Sequence, residues 1–188
     1  TSLNFLCNLG NIQHGQKVLI NGASGSLGSA AIQIAKHYGA EVTGVCSAKN
    51  RSMVLELGAD YVIDYNQNDF TENENKNDLI YDTVGVRSFG ECKKALTKNG
   101  LYISPVLGMP LLADVISSSL FGTKKAKFSA SGALPEMEIK RLMAILLEII
   151  DAGNLKGIVD KSYPLEQVSE AHDYVDKGHK RGNIVLVA

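Results

Sequence analysis

One continuous stretch, Lys17 to Ala40, KVLINGASGSLGSAAIQIAKHYGA, leaves the chain few choices. It opens with the apolar run VLI, too short for a helix and bounded by small residues, which reads as a buried strand. It closes with Leu27, Ala30, Ala31, Ile34, Ala35 and Tyr38 at helical spacing, stopped by Gly39 in the manner of a C-cap. Between them lie Gly22, Gly25 and Gly28, one every third residue. A strand that turns within a few glycine-rich residues into a helix is the first half of a βαβ unit, and its next strand must lie parallel to the first.

The remaining sequence repeats that alternation. EVTGVCS (41–47) reads as a second strand, Lys49 to Leu57 as a helix stopped by Gly58, and YVIDY (61–65) as a third strand. NQNDFTENENKND (66–78) is polar and Asn-rich, a surface loop with room for one helical turn. LIYDTVG (79–85) is a fourth strand, Ser88 to Lys98 a helix stopped at Asn99-Gly100, LYISPVLG (101–108) a fifth strand, and Lys125 to Ser131 a sixth. Pro135 stands just before a helix from Glu136 to Ala152 with a wide apolar face. The tail reads as a strand around Ile158 to Tyr163, a helix from Leu165 to Lys177 and a last strand, NIVLVA. This is the α/β pattern of a parallel sheet covered on both faces.

Composition narrows the function. A formal net charge of −1 over 188 residues gives no electrostatic footprint for nucleic acid. No apolar run reaches the roughly 18 residues of a membrane span, and TSLNFLCNLG lacks the basic start of a signal peptide. The absence of an initiator Met is what a cut or a trimmed chain would show. Cys7, Cys46 and Cys92 are odd in number and widely spaced, as expected of reduced thiols in the cytoplasm.

The glycines point to a ligand. With Ala23 at the first position, the loop reads Ala23-x-Gly25-x-x-Gly28, a dinucleotide fingerprint in its required strand-to-helix context. Gly25 would let a pyrophosphate approach the backbone, and Gly28 would let helix and strand pack closely. The helix N-terminus would supply free N–H groups and a favourable dipole. The other reading is a tight turn with no ligand. About 20 residues later, an NAD-preferring site places a carboxylate for the ribose hydroxyls. Here the sequence is Ser47-Ala48-Lys49-Asn50-Arg51, a hydroxyl and two cations suited to a 2′-phosphate, or a solvated helix start.

Four stretches, GQKVLINGASGSLGSAAIQIAKHYGAEVTGVCS, LELGADYVIDY, YDTVG and GHKRGNIVLVA, together resemble the cofactor-binding domain of the medium-chain dehydrogenase/reductase superfamily, in its zinc-free quinone oxidoreductase-like branch. The resemblance implies a Rossmann-type, doubly wound parallel six-stranded sheet. It implies a connecting helix over 1–16, a dinucleotide-binding domain over 17–157, and a segment, 158–188, that packs on a GroES-like catalytic domain preceding this chain. It implies NADP(H) as cofactor, a small-molecule substrate such as a quinone, enone or carbonyl compound, and no metal in this chain. Carried over residue by residue, Ser24, Gly25, Ser26 and Leu27 would face the pyrophosphate, and Ser47, Lys49 and Arg51 the 2′-phosphate. Tyr65 would lie beside the adenosine ribose, or simply end its strand. Asp82, Thr83 and Val84 would border the adenosine, with Asp82 equally able to cap the next turn. Leu107, within Pro105 to Gly108, would flank the nicotinamide ribose, and Phe128 would lie near the nicotinamide or instead form sheet edge. Lys180 and Arg181 would reach the phosphates, or form a solvated turn. Relatives dimerise by joining sheet edges, so a homodimer is expected through roughly Tyr102 to Ser131; the other reading is an edge covered by the Met109 to Leu120 segment.

His14, His37, His172 and His179 pair with no Cys or carboxylate at zinc-ligand spacing. GASGS is neither a P-loop nor a nucleophile elbow. No general acid stands out, and the catalytic residues stay unassigned. A non-catalytic nucleotide-binding module and the C-terminal half of a zinc alcohol dehydrogenase are the competing readings.

Overall fold

The structure, a computed structural model, describes residues 1–178 and 180–188; His179 lies outside the described residues. A short π-helical segment, Asn4–Leu9, leads into a six-stranded parallel sheet. Its strands are β1 (Lys17–Asn21), β2 (Glu41–Cys46), β3 (Tyr61–Asp64), β4 (Asn77–Asp82), β5 (Leu96–Ile103) and β6 (Lys125–Lys127), in the spatial order β3-β2-β1-β4-β5-β6. That order reverses direction between β1 and β4, the switch point of a doubly wound sheet. The helices are α1 (Ser26–His37), α2 (Arg51–Glu56), α3 (Phe89–Cys92), α4 (Met109–Leu120), α5 (Glu136–Asp151) and α6 (Val168–Asp176). Strands β7 (Val159–Pro164) and β8 (Asn183–Val187) pair in parallel as a separate two-stranded sheet.

Each central strand sends alternate side chains to two cores. Val18, Ile20, Leu79, Tyr81 and Ile103 pack with α1, α5 and the N-terminal segment. Leu19, Val45, Ile80 and Tyr102 pack on the opposite face with Phe70, Phe89 and Leu111. Both faces are therefore dry, which is why these strands read as unbroken apolar runs.

The expected helix over Ser88–Lys98 is corrected. Ser88 and Glu91 form a capping box, but α3 ends at Cys92. The chain then becomes strand, because Leu96 is fully buried in the second core and pairs with Asn77 of β4. Tertiary capture here overrides the helix propensity of KKAL. The sheet takes β5 as 96–103 rather than 101–108, and β6 ends at Lys127 rather than Ser131. Met109–Leu120, for which the sequence reading gives no element, is helix α4.

Asp60 joins β2 to the end of α1. Its carboxylate accepts from Val42 N–H at 2.7 Å and Lys36 Nζ at 2.8 Å. Burial works against the charged form, but these donors outweigh it and hold Asp60 below its ordinary value. A depressed folded pKa stabilises above the unfolded value, near 4, and the contribution disappears as pH falls through the folded value. Asp60→Asn is expected to cost about 1 kcal/mol at pH 7, the screened value of a half-exposed pair with one backbone bond. Melting curves of the two proteins should differ at pH 7 and converge near pH 2.

Candidate functional site: a cleft at the strand ends

A cleft of about 900 Å³ opens at the C-terminal ends of β1 to β4, where ligands bind in open α/β sheets. The β1–α1 loop forms its floor. The three glycines there have different reasons to be glycine. Gly22 has φ +78°, and a Cβ on it would lie 2.5 Å from Thr83 Oγ1. A Cβ on Gly28 would lie 2.2 Å from Gly22 O and 2.7 Å from Ala23 Cα, both backbone. Gly25 has no such constraint: φ is −80°, and a Cβ would make only an ordinary 3.5 Å contact with Gly22 O. Its missing side chain leaves room on the cleft side, beside an α1 N-terminus that has no side-chain cap. The first N–H groups of a helix have no partner within it, and these adjoin the cleft.

Lys180 supplies the cation. The segment before β8 crosses the glycine loop, with Gly182 N–H donating to Ser24 O at 2.8 Å and Ser26 Oγ donating to Gly182 O at 2.7 Å. Lys180 Nζ rests between Ser26 Oγ and Gly182 O and lines the cleft. Burial lowers its pKa, opposed by the charge of Asp160. An ammonium at a helix N-terminus opposes the dipole; an anion between them would satisfy both.

At the end of β2, Ser47, Lys49 and Asn50 line the cleft, and Lys49 forms no ion pair among the described residues. Cys46 also lines it, but burial and then Asp64 push its thiol up to about 11, so it is neutral at pH 7. Of the residues named from the sequence, Ser24, Gly25, Ser26, Leu27, Ser47, Lys49, Tyr65, Thr83, Val84 and Lys180 are brought together here. Five are placed elsewhere. Arg51 donates through Nη1 to Val62 O at 3.1 Å. Asp82 is fully buried beneath the rim, with five donors around it. Leu107 is exposed beyond β5, Phe128 packs against the second core, and Arg181 pairs with Asp160 at 3.6 Å.

The cleft also uses residues that sequence reasoning passed over. Asn68, Asp69 and Phe70 come from the Asn-rich loop, and Val86 and Arg87 follow β4. Arg87 bridges to Asp69 at 2.7 Å and to Glu91 at 3.3 Å, which fixes this rim. Asn50 sat within the stretch quoted for the 2′-phosphate but carried no role. Among the described residues, no group of three His, Cys, Asp or Glu side chains could hold a metal ion, and no helix is long and apolar enough to cross a membrane.

A family model described as zinc-binding dehydrogenase matches residues 57–186. NAD(P)H oxidoreductase RTN4IP1, mitochondrial, of Mus musculus is 32% identical over 189 residues, covering 92% of this chain and 48% of that protein. Acryloyl-coenzyme A reductase of Metallosphaera sedula is 28% identical over 190 residues, 94% of this chain and 52% of that one. The structure of the quinone oxidoreductase from Coxiella burnetii is similar with a TM-score of 0.82 at 25% identity, over 100% of this chain and 57% of that chain. The chain thus spans about half the length of the curated relatives it matches. Matched family, parallel sheet and relatives agree: the chain belongs to the zinc-binding dehydrogenase family, with the fold of the quinone oxidoreductase-like cofactor-binding domain of the medium-chain dehydrogenase/reductase superfamily.

Proposed function

We propose that this chain binds NADPH and serves as the cofactor domain of a reductase acting on a quinone, enone or carbonyl substrate. The observation that carries this reading is the open floor of the cleft. Gly25 is glycine without a packing reason, an uncapped helix N-terminus adjoins it, and Lys180 stands over it. The residues present fit the cofactor. The backbone of the Ser24–Leu27 segment and Lys180 would hold the pyrophosphate, and Lys49 with the hydroxyls of Ser24 and Ser47 the 2′-phosphate. Tyr65, Val84 and Val86 would enclose the adenosine. The bound nicotinamide would supply the hydride; this chain's residues bind and orient it. The names of the relatives, an NAD(P)H oxidoreductase and an acryloyl-coenzyme A reductase, support the reaction class.

Lys49→Ala tests the 2′-phosphate assignment. By calorimetry the variant should bind NADPH roughly tenfold more weakly than the parent, the loss of one charge-assisted contact, with NADH affinity within about twofold. Equal loss for both cofactors would remove Lys49 from that role.

The homodimer belongs to the same proposal. β6 is an edge strand, and α4 beside it exposes Met109, Leu112, Ile116 and Leu120 along one face. Light scattering at micromolar concentration should give twice the chain mass; a monomer would reject the pairing.

A further inference from the structure

We propose that Asn50 is a positioning residue that turns the hydroxyl protons of Ser24 and Ser47 toward the cleft and thereby favours a 2′-phosphate over a free ribose hydroxyl. The inference rests on the nucleotide reading of the cleft. Asn50 is only 4% exposed and sits where the glycine loop meets the end of β2. Its Nδ2 lies 3.0 Å from Ser24 Oγ and 3.4 Å from Ser47 Oγ. An amide nitrogen can only donate, so each serine oxygen accepts from it. A hydroxyl carries one proton, and neither serine donates to another group among the described residues. Both protons are thus available to the cleft that both serines line.

A phosphate has acceptors only and takes such donors directly. A ribose hydroxyl also needs an acceptor for its own proton, the task of the carboxylate that NAD-preferring sites place here. Asn50 arranges the opposite polarity, and Lys49 adjoins it on the charged side. The other end of the amide shows what this orientation costs. Asn50 Oδ1 is buried without a hydrogen-bond partner among the described residues. A buried acceptor left unpaired is uncommon and costly. Rotating the amide would pair Oδ1 with the two serine protons and point both inward, away from the ligand. The orientation present keeps them outward at the expense of Oδ1.

The test measures dissociation constants of NADPH and NADH for the 188-residue chain and its variants. In Asn50→Leu the serine protons are no longer directed, so NADPH should weaken roughly fivefold to tenfold with NADH within twofold. In Asn50→Asp the carboxylate accepts both protons and faces the phosphate with a charge; NADPH should weaken roughly thirtyfold or more while NADH does not weaken. In a Ser24→Ala/Ser47→Ala background, Asn50→Leu should change neither affinity further. The ratio of two constants for one variant does not depend on how much of it is folded. Equal loss of both cofactors in Asn50→Leu, or an undiminished effect without the serines, would overturn the proposal and leave the nucleotide site standing. A parent chain that binds both cofactors equally would overturn it too. A parent chain that binds neither would overturn the nucleotide reading itself.

Discussion

Alanine at Gly28 should destabilise the protein by about 3 kcal/mol, whereas alanine at Gly25 should cost less than about 1 kcal/mol yet weaken NADPH binding roughly tenfold. The two glycines are three residues apart in one loop, and the difference follows from what surrounds each. A Gly28 methyl would sit 2.2 Å from Gly22 O and 2.8 Å from Ala23 C. Neither atom can move without displacing the loop or lifting α1 from β1, so the cost falls on the fold. A Gly25 methyl meets the protein at 3.5 Å, an ordinary contact, and projects where the ligand backbone approach is needed. Paired thermal melts and NADPH titrations would separate them. A Gly25→Ala chain with normal affinity would show that this glycine reserves no space for a ligand.

The second large effect is expected at Asp82. Its carboxylate accepts from Asn21 Nδ2 at 2.9 Å, Gly85 N–H at 3.0 Å, Val84 N–H at 3.1 Å and Arg87 N–H at 3.3 Å, and lies 3.1 Å from Tyr102 OH, whose one proton it shares with Arg87 O at 2.7 Å. It is fully buried. Three of those donors are backbone groups of the loop that forms one rim of the cleft, so Asp82 shapes the site without facing it. Burial, and then the Asp82 charge, raise the Tyr102 phenol well above its ordinary value and keep it a donor. Asp82→Ala strands several buried donors and should cost about 3 kcal/mol or more, roughly 10 °C in Tm. Asp82→Asn keeps one acceptor oxygen and should lose less. A melting temperature unchanged in Asp82→Ala would refute this role.

Much of the architecture was legible because its signals are local. VLI, the glycine loop and the helix-spaced residues from Leu27 to Tyr38 each identify an element without help from the rest of the chain. The β5 boundary was not local: KKALTKNG has good helix formers, and only the pairing of Leu96 with Asn77 makes that stretch a strand. The same division holds at the site. Ser24 to Leu27, Ser47 and Lys49 lie within a few residues of the ends of β1 and β2, so their position follows from the strand that precedes them. Asp82 also ends a strand, but whether its carboxylate points into the cleft or under the loop depends on the turn after it. Gly85, at φ +75°, lets that turn fold back onto the carboxylate. Arg51 is one helical step past the cleft, close in sequence and turned toward β3. The Phe70 wall comes from a loop whose polar composition concealed one buried aromatic ring.

The central claim is that the cleft at the ends of β1 to β4 is a dinucleotide site. The most direct measurement is amide chemical-shift mapping of the nitrogen-labelled chain as NADPH is added. The account predicts saturable shifts centred on Ser24 to Leu27, Ser47 to Asn50, Thr83, Val84 and Lys180. Saturable shifts confined to another face, or none at millimolar NADPH, would contradict it.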